Sequence, residues 1–88
     1  MTSKERARLK GLASTADTIV QIGKSGITDS VIASVDTALN ARELVKGRVL
    51  ESSMLTAREA CEQLAEALHA EAVQSIGTKF VLYRKNPD

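Results

Sequence analysis

The sequence predicts a single compact α/β domain over residues 1–88, with the order α-β-α-β-α-β-β and one four-stranded mixed sheet. Three observations point there. Two helical stretches carry the same apolar spacing, and each lies between strand-like runs, as βαβ crossovers require. Thr56-Ala57-Arg58-Glu59 is a capping box, which marks the start of the later of these helices. Gly77-Thr78 separates two strand-like runs with Gly first, the pattern of a two-residue hairpin turn. Crossovers and a hairpin within one sheet make that sheet mixed.

The elements follow in order. Residues 4–14 read as a helix, with Leu9, Leu12, Ala13 and Ala16 on an i, i+3, i+4, i+7 stripe. Lys4, Arg6, Arg8 and Lys10 lie beside and opposite that stripe. Gly11 is a poor helix former and predicts a loose C-terminal end. Residues 14–17 turn the chain into a strand over 19–22. A helix follows over 29–41, with Thr28 as N-cap, Asp29 complementing the dipole, and Val31, Ile32, Val35, Ala38 and Leu39 on one apolar face. Residues 44–50 alternate. Val45, Gly47 and Val49 point one way, while Leu44, Lys46, Arg48 and Leu50 point the other, giving a core face and a partly basic face. Gly47 weakens a strand interior. The third helix repeats the apolar stripe with Ala60, Cys61, Leu64, Ala67 and Leu68. Strands over 72–76 and 79–84 form the hairpin. Phe80 and Tyr83 point to opposite faces, so one belongs to the core and the other is open to stack on a base. Residues 86–88 are a short polar tail.

Composition narrows the classes. There is no Trp, one Phe and one Tyr, so the core is aliphatic. No apolar run reaches the length of a membrane span, and the first residues lack the apolar core of a secretory signal. One cysteine makes no internal disulfide. These features favour a cytoplasmic protein with no membrane partner. The net charge is only +1, but residues 1–48 hold eight Lys/Arg against five Asp/Glu, and residues 49–88 hold four against six. That asymmetry suggests a basic face for an anionic partner.

The most suggestive stretch is Gly23-Lys24-Ser25-Gly26, between a strand and a helix N-terminus. Glycines let backbone approach a ligand, and the first helix amides lack intrahelical partners, so the place suits a phosphate. It is not a nucleotide P-loop. That motif needs a glycine at position 18, which is Thr18, and residues 19–22 read as strand. Gly-x-x-Gly with a lysine inside is the kind of loop that clamps a nucleic-acid backbone. Catalysis finds little support. Cys61 sits on an apolar stripe, His69 has no ligand cluster near it in sequence, and Ser25 has no neighbouring base. No enzyme activity, cofactor or metal is expected.

The chain resembles a known family across nearly its whole length, from about Lys4 to Arg84. The matching pieces are Leu9-Lys10-Gly11-Leu12-Ala13, Val20-Gln21-Ile22-Gly23-Lys24-Ser25-Gly26-Ile27-Thr28, Glu43-Leu44-Val45-Lys46, Ser75-Ile76-Gly77-Thr78-Lys79 and Phe80-Val81-Leu82-Tyr83-Arg84. In this order and spacing they resemble the CRM domain (chloroplast RNA splicing and ribosome maturation), especially its stand-alone bacterial YhbY type. The resemblance implies a fold similar to the C-terminal domain of bacterial translation initiation factor three. It also implies an RNA-binding protein linked to precursors of the large ribosomal subunit, with ribosomal RNA as partner. The family's loop maps onto Gly23, Lys24, Ser25 and Gly26, its basic strand position onto Lys46, and the alternating basic position onto Arg48. Gly47 stands where an apolar residue is usual, which predicts a less rigid strand. The surface is also less basic than the family's.

Together these readings predict a monomer. It would hold phosphates with Gly23, Gly26 and the amides behind Thr28, and add charge from Lys24, Lys46 and Arg48. Arg6, Arg8 and Lys10 would extend the surface if they fold to the same side. An alternative is a protein-binding adaptor on pre-ribosomal particles, with Glu59, Glu62 and Glu66 of the acidic third helix as its contact face.

Overall fold

Each helix begins on a threonine whose hydroxyl oxygen accepts an N–H three residues on: Thr2 from Glu5, Thr28 from Val31 and Thr56 from Glu59. These bonds satisfy amides that have no intrahelical partner. In the computed structural model, which describes residues 2–85, the elements are α1 (Ser3–Ala13), β1 (Thr18–Ile22), α2 (Asp29–Arg42), β2 (Leu44–Val49), α3 (Ala57–Leu68), β3 (Glu71–Ile76) and β4 (Lys79–Tyr83). The order is the expected one, with ends shifted by a residue. Helix α1 runs through Gly11 to Ala13. Arg84 lies beyond β4. The polar tail lies outside the described residues. Among those residues no helix is long and apolar enough to cross a membrane.

The four strands form one mixed sheet in the order β1-β2-β4-β3. β1 and β2 are parallel, while β4 runs antiparallel to both β2 and β3. Helices α2 and α3 are therefore crossovers, and both pack on one face. There Val20, Ile22, Val45, Val49, Phe80 and Leu82 from the sheet meet Val35, Leu39, Ala60, Cys61, Leu64 and Leu68 from the helices. The other face carries a smaller cluster, Leu9 and Ala13 of α1 against Val73 and Val81. Tyr83 packs at its margin, so its ring supports α1, while Phe80 is in the main core.

Two expected core positions are exposed. Leu12 is 51% exposed because α1 crosses the sheet on Leu9 and Ala13 alone. Ala67 is exposed because the buried seam of α3 runs Ala57, Ala60, Cys61, Leu64, Leu68 and leaves it at the side.

Gly47 has a specific reason. It pairs with Phe80 across the β2–β4 ladder and with Val20 across β1–β2. A Cβ built on Gly47 would lie 2.4 Å from Phe80 Cζ. The aromatic ring occupies the space a side chain would fill, and β2 is hydrogen-bonded on both sides.

Candidate nucleic-acid interface

Parallel pairing brings the C-terminal ends of β1 and β2 together. Leu50 N–H donates to the Ile22 carbonyl (2.8 Å), which carries the ladder just beyond β2. Val49 N–H donates to the Thr78 carbonyl (2.8 Å), so the hairpin turn lies at the same end. Three connections, over 23–28, 50–56 and 77–78, thus share one end of the sheet with the N-termini of α2 and α3. Open α/β sheets commonly bind ligands beyond the carboxyl ends of their strands.

Within the first connection, Gly26 N–H donates to the Gly23 carbonyl (3.0 Å), closing a tight turn. Lys24 and Ser25 form its exposed corners. The two glycines are not equivalent. Gly26 has φ +70°, where other residues are strained. A Cβ on Gly23 would meet Leu50 and Ser52 at ordinary contact distances. Behind the turn, the Thr28 hydroxyl already takes the Val31 amide (3.2 Å), and Asp29 sets a negative charge in the first turn. That carboxylate offsets part of the helix end's pull on an anion. Lys24 is therefore the main source of positive charge at this turn.

A second group of cations lies on the sheet. Alternation along β2 sends Lys46 and Arg48 to the face that α1 covers only in part. Arg48 sits opposite Lys79 on β4 and opposite Gln21 on β1. Lys46 is half-buried, and its Nζ donates to the Ala13 carbonyl at the end of α1 (3.2 Å). Beside them is a shallow depression of about 180 Å³, lined by Lys46, Gln74, Ile76, Lys79 and Val81.

These features belong to a recognisable whole, since the profile of the CRS1 / YhbY (CRM) domain matches residues 1–84. The chain belongs to the CRM domain family. It is 33% identical over 88 residues to a Bacillus subtilis protein named "Probable RNA-binding protein YqeI", covering 100% of this chain and 92% of that one. It is likewise 33% identical to a Haemophilus influenzae protein named RNA-binding protein, covering 100% and 89%. The solution structure of the Staphylococcus aureus protein SAV1595 superposes with a TM-score of 0.83 at 40% identity, covering 100% of this chain and 92% of that one.

In this CRM domain the expected site residues fall into three places. Gly23, Lys24, Ser25, Gly26 and Thr28 form the turn at the start of α2. Lys46 and Arg48 share the opposite face of the sheet, Arg48 at the same end and Lys46 farther back, level with Thr18 and Val81. The basic residues of α1 do not form one surface. Arg6 turns inward, donating from Nη1 to the carbonyls of Ala72 (3.0 Å) and Val73 (2.8 Å) at the bulge in β3. Lys10 is exposed on Arg6's side at i, i+4, whereas Arg8 lies with Leu12 on the other.

Lys79, Gln21 and Gln74 were not expected at the site. Alternation from the buried Phe80 could have put Lys79 on the outer face. Its position opposite Arg48 depends on a β2–β4 pairing that no local pattern reveals. On α3, Glu59 Oε1 accepts the Thr56 amide (3.1 Å) and Glu62 pairs with Arg58 (3.2 Å). Cys61 is buried, and burial pushes its thiol up to about 11. It stays protonated and unreactive at neutral pH.

Proposed function

We propose that this CRM domain is a non-catalytic RNA-binding protein of the cytoplasm, acting as a monomer on ribosomal RNA in precursors of the large subunit. The observation that carries the reading is the grouping at one end of the sheet. An exposed lysine on a tight glycine turn, Lys24, lies at the same end as Arg48 and Lys79, which have no ion pair among the described residues. The names of the relatives support RNA as the partner. Phosphates would lie against the 23–26 turn and the sheet cations. Such contacts position a protein on RNA and carry little sequence information.

A protein adaptor using α3 has less behind it. Glu59 is engaged in the helix cap and Glu62 in an ion pair within the helix.

The test is RNA binding by the chain carrying Lys24→Ala together with Gly26→Asp. The expected result is a loss of about tenfold or more at low salt, with the salt slope reduced by about one. Unchanged binding removes the turn from the mechanism. Crosslinking in cells, followed by sequencing of the attached RNA, then decides whether that RNA is ribosomal.

A further inference from the structure

We propose that the half of the sheet left open by α1 is a second RNA subsite, one that takes unpaired nucleotides and seats a base. This rests on the RNA reading above and adds the form of RNA the protein favours.

Arg48 and Lys79 are directly opposed on β2 and β4, and Lys46 lies on the same face. Like charges placed so are mutually destabilising. Among the described residues neither the Arg48 nor the Lys79 side chain has a hydrogen bond or ion pair, so the fold itself does not offset that repulsion. A phosphate between them does. The helix end at Thr28 is a weaker anchor, because a hydroxyl and the Asp29 carboxylate already serve it.

The adjoining depression holds about 180 Å³. Pockets that enclose whole small molecules begin at roughly 300 Å³. The space therefore suits one planar group rather than a buried nucleotide. Its walls are mixed in the way a base requires. Ile76, 66% exposed, offers apolar surface to a ring face. The Gln74 amide supplies a donor and an acceptor for a base edge, while Gln21 stands outside the depression, across Arg48 on β1. The Arg48 guanidinium offers a plane for stacking. In an A-form duplex the bases are stacked and their pairing edges committed, so only unpaired nucleotides can use these groups. An acidic peptide would satisfy the cations but leave the Gln74 amide and Ile76 without purpose.

The test uses the full chain and fluorescence anisotropy, with a short labelled RNA strand of mixed sequence and a duplex of the same length. Wild type should bind the strand more tightly. Gln74→Ala with Ile76→Ser, both at positions outside the core, should weaken strand binding about tenfold and leave duplex binding unchanged. Lys24→Ala should weaken both equally. On adding the strand, amide shifts should appear at Gln21, Arg48, Gln74, Ile76 and Lys79. A strand-to-duplex ratio unmoved by the Gln74 and Ile76 substitutions overturns the proposal, as do shifts confined to the 23–26 turn. Polyglutamate bound at this face, with strand binding indifferent to these substitutions, also overturns it and makes the face a protein contact. Wild type that binds neither RNA overturns the RNA reading itself.

Discussion

Gly47 and Phe80 act as one packing unit, and that unit makes a sharp prediction. With only 2.4 Å between a Cβ at position 47 and Phe80 Cζ, any side chain there must displace the ring. Gly47→Val should destabilise the fold by about 1–3 kcal/mol, read from urea midpoints. Adding Phe80→Leu should recover part of that loss, although Phe80→Leu alone is destabilising. Purely additive effects would show that the ring is not the obstacle. Cys61 gives a prediction in pH. Its thiol is raised from 9.0 to about 11, so the neutral form is favoured in the fold. Above pH 9 the unfolded chain loses this proton and the folded one keeps it. Stability from this group is therefore full below 9.0 and is lost as pH rises toward 11. The wild type should lose stability more steeply over that window than Cys61→Ala.

The ends of α2, α3 and β4 are tied by Arg84. Its guanidinium donates to the Leu68 carbonyl (2.9 Å), the Asp36 carbonyl (3.3 Å) and Asn40 Oδ1 (2.9 Å), and pairs with the Asp36 carboxylate (2.9 Å). Arg84→Met keeps the apolar stem and removes these bonds. It should cost about 1–3 kcal/mol in denaturant melts and speed amide exchange in the last turns of both helices. This tie also shows what sequence reading reaches. The Thr56–Glu59 capping box, the Thr28 cap and the Gly77-Thr78 turn involve residues a few positions apart, and each is found where expected. Arg84 reaches residues 16 and 48 positions away, and no local pattern marks it as a tie between helices. The same limit applied at the site. The 23–26 turn could be read from its glycines, but Lys79 opposite Arg48 depends on a hairpin folding back between β2 and β3. The basic residues of α1 looked equivalent on a helical wheel. Contact with the β3 bulge is what turns Arg6 inward.

Taken whole, the domain places three exposed cations, Lys24, Arg48 and Lys79, at the end of the sheet where β1 and β2 finish. With Lys24, Arg48 and Lys79 each neutralising one phosphate, log K for single-stranded RNA should fall with log salt at a slope of about −2. A titration across salt concentrations measures this, and a slope near zero would mean that phosphates are not the main contact. The C-terminal side of the fold lies elsewhere. Arg84 N–H donates to the Glu43 carbonyl (2.9 Å), and Tyr83 pairs with Leu44, the first residue of β2. The described backbone thus finishes a full six-residue strand, roughly 20 Å, from Leu50 and the 23–26 turn. For anyone building with this domain, that distance is useful. A fluorophore, affinity handle or second domain joined after Lys85 can be anchored with the turn and the open sheet face directed away from the attachment.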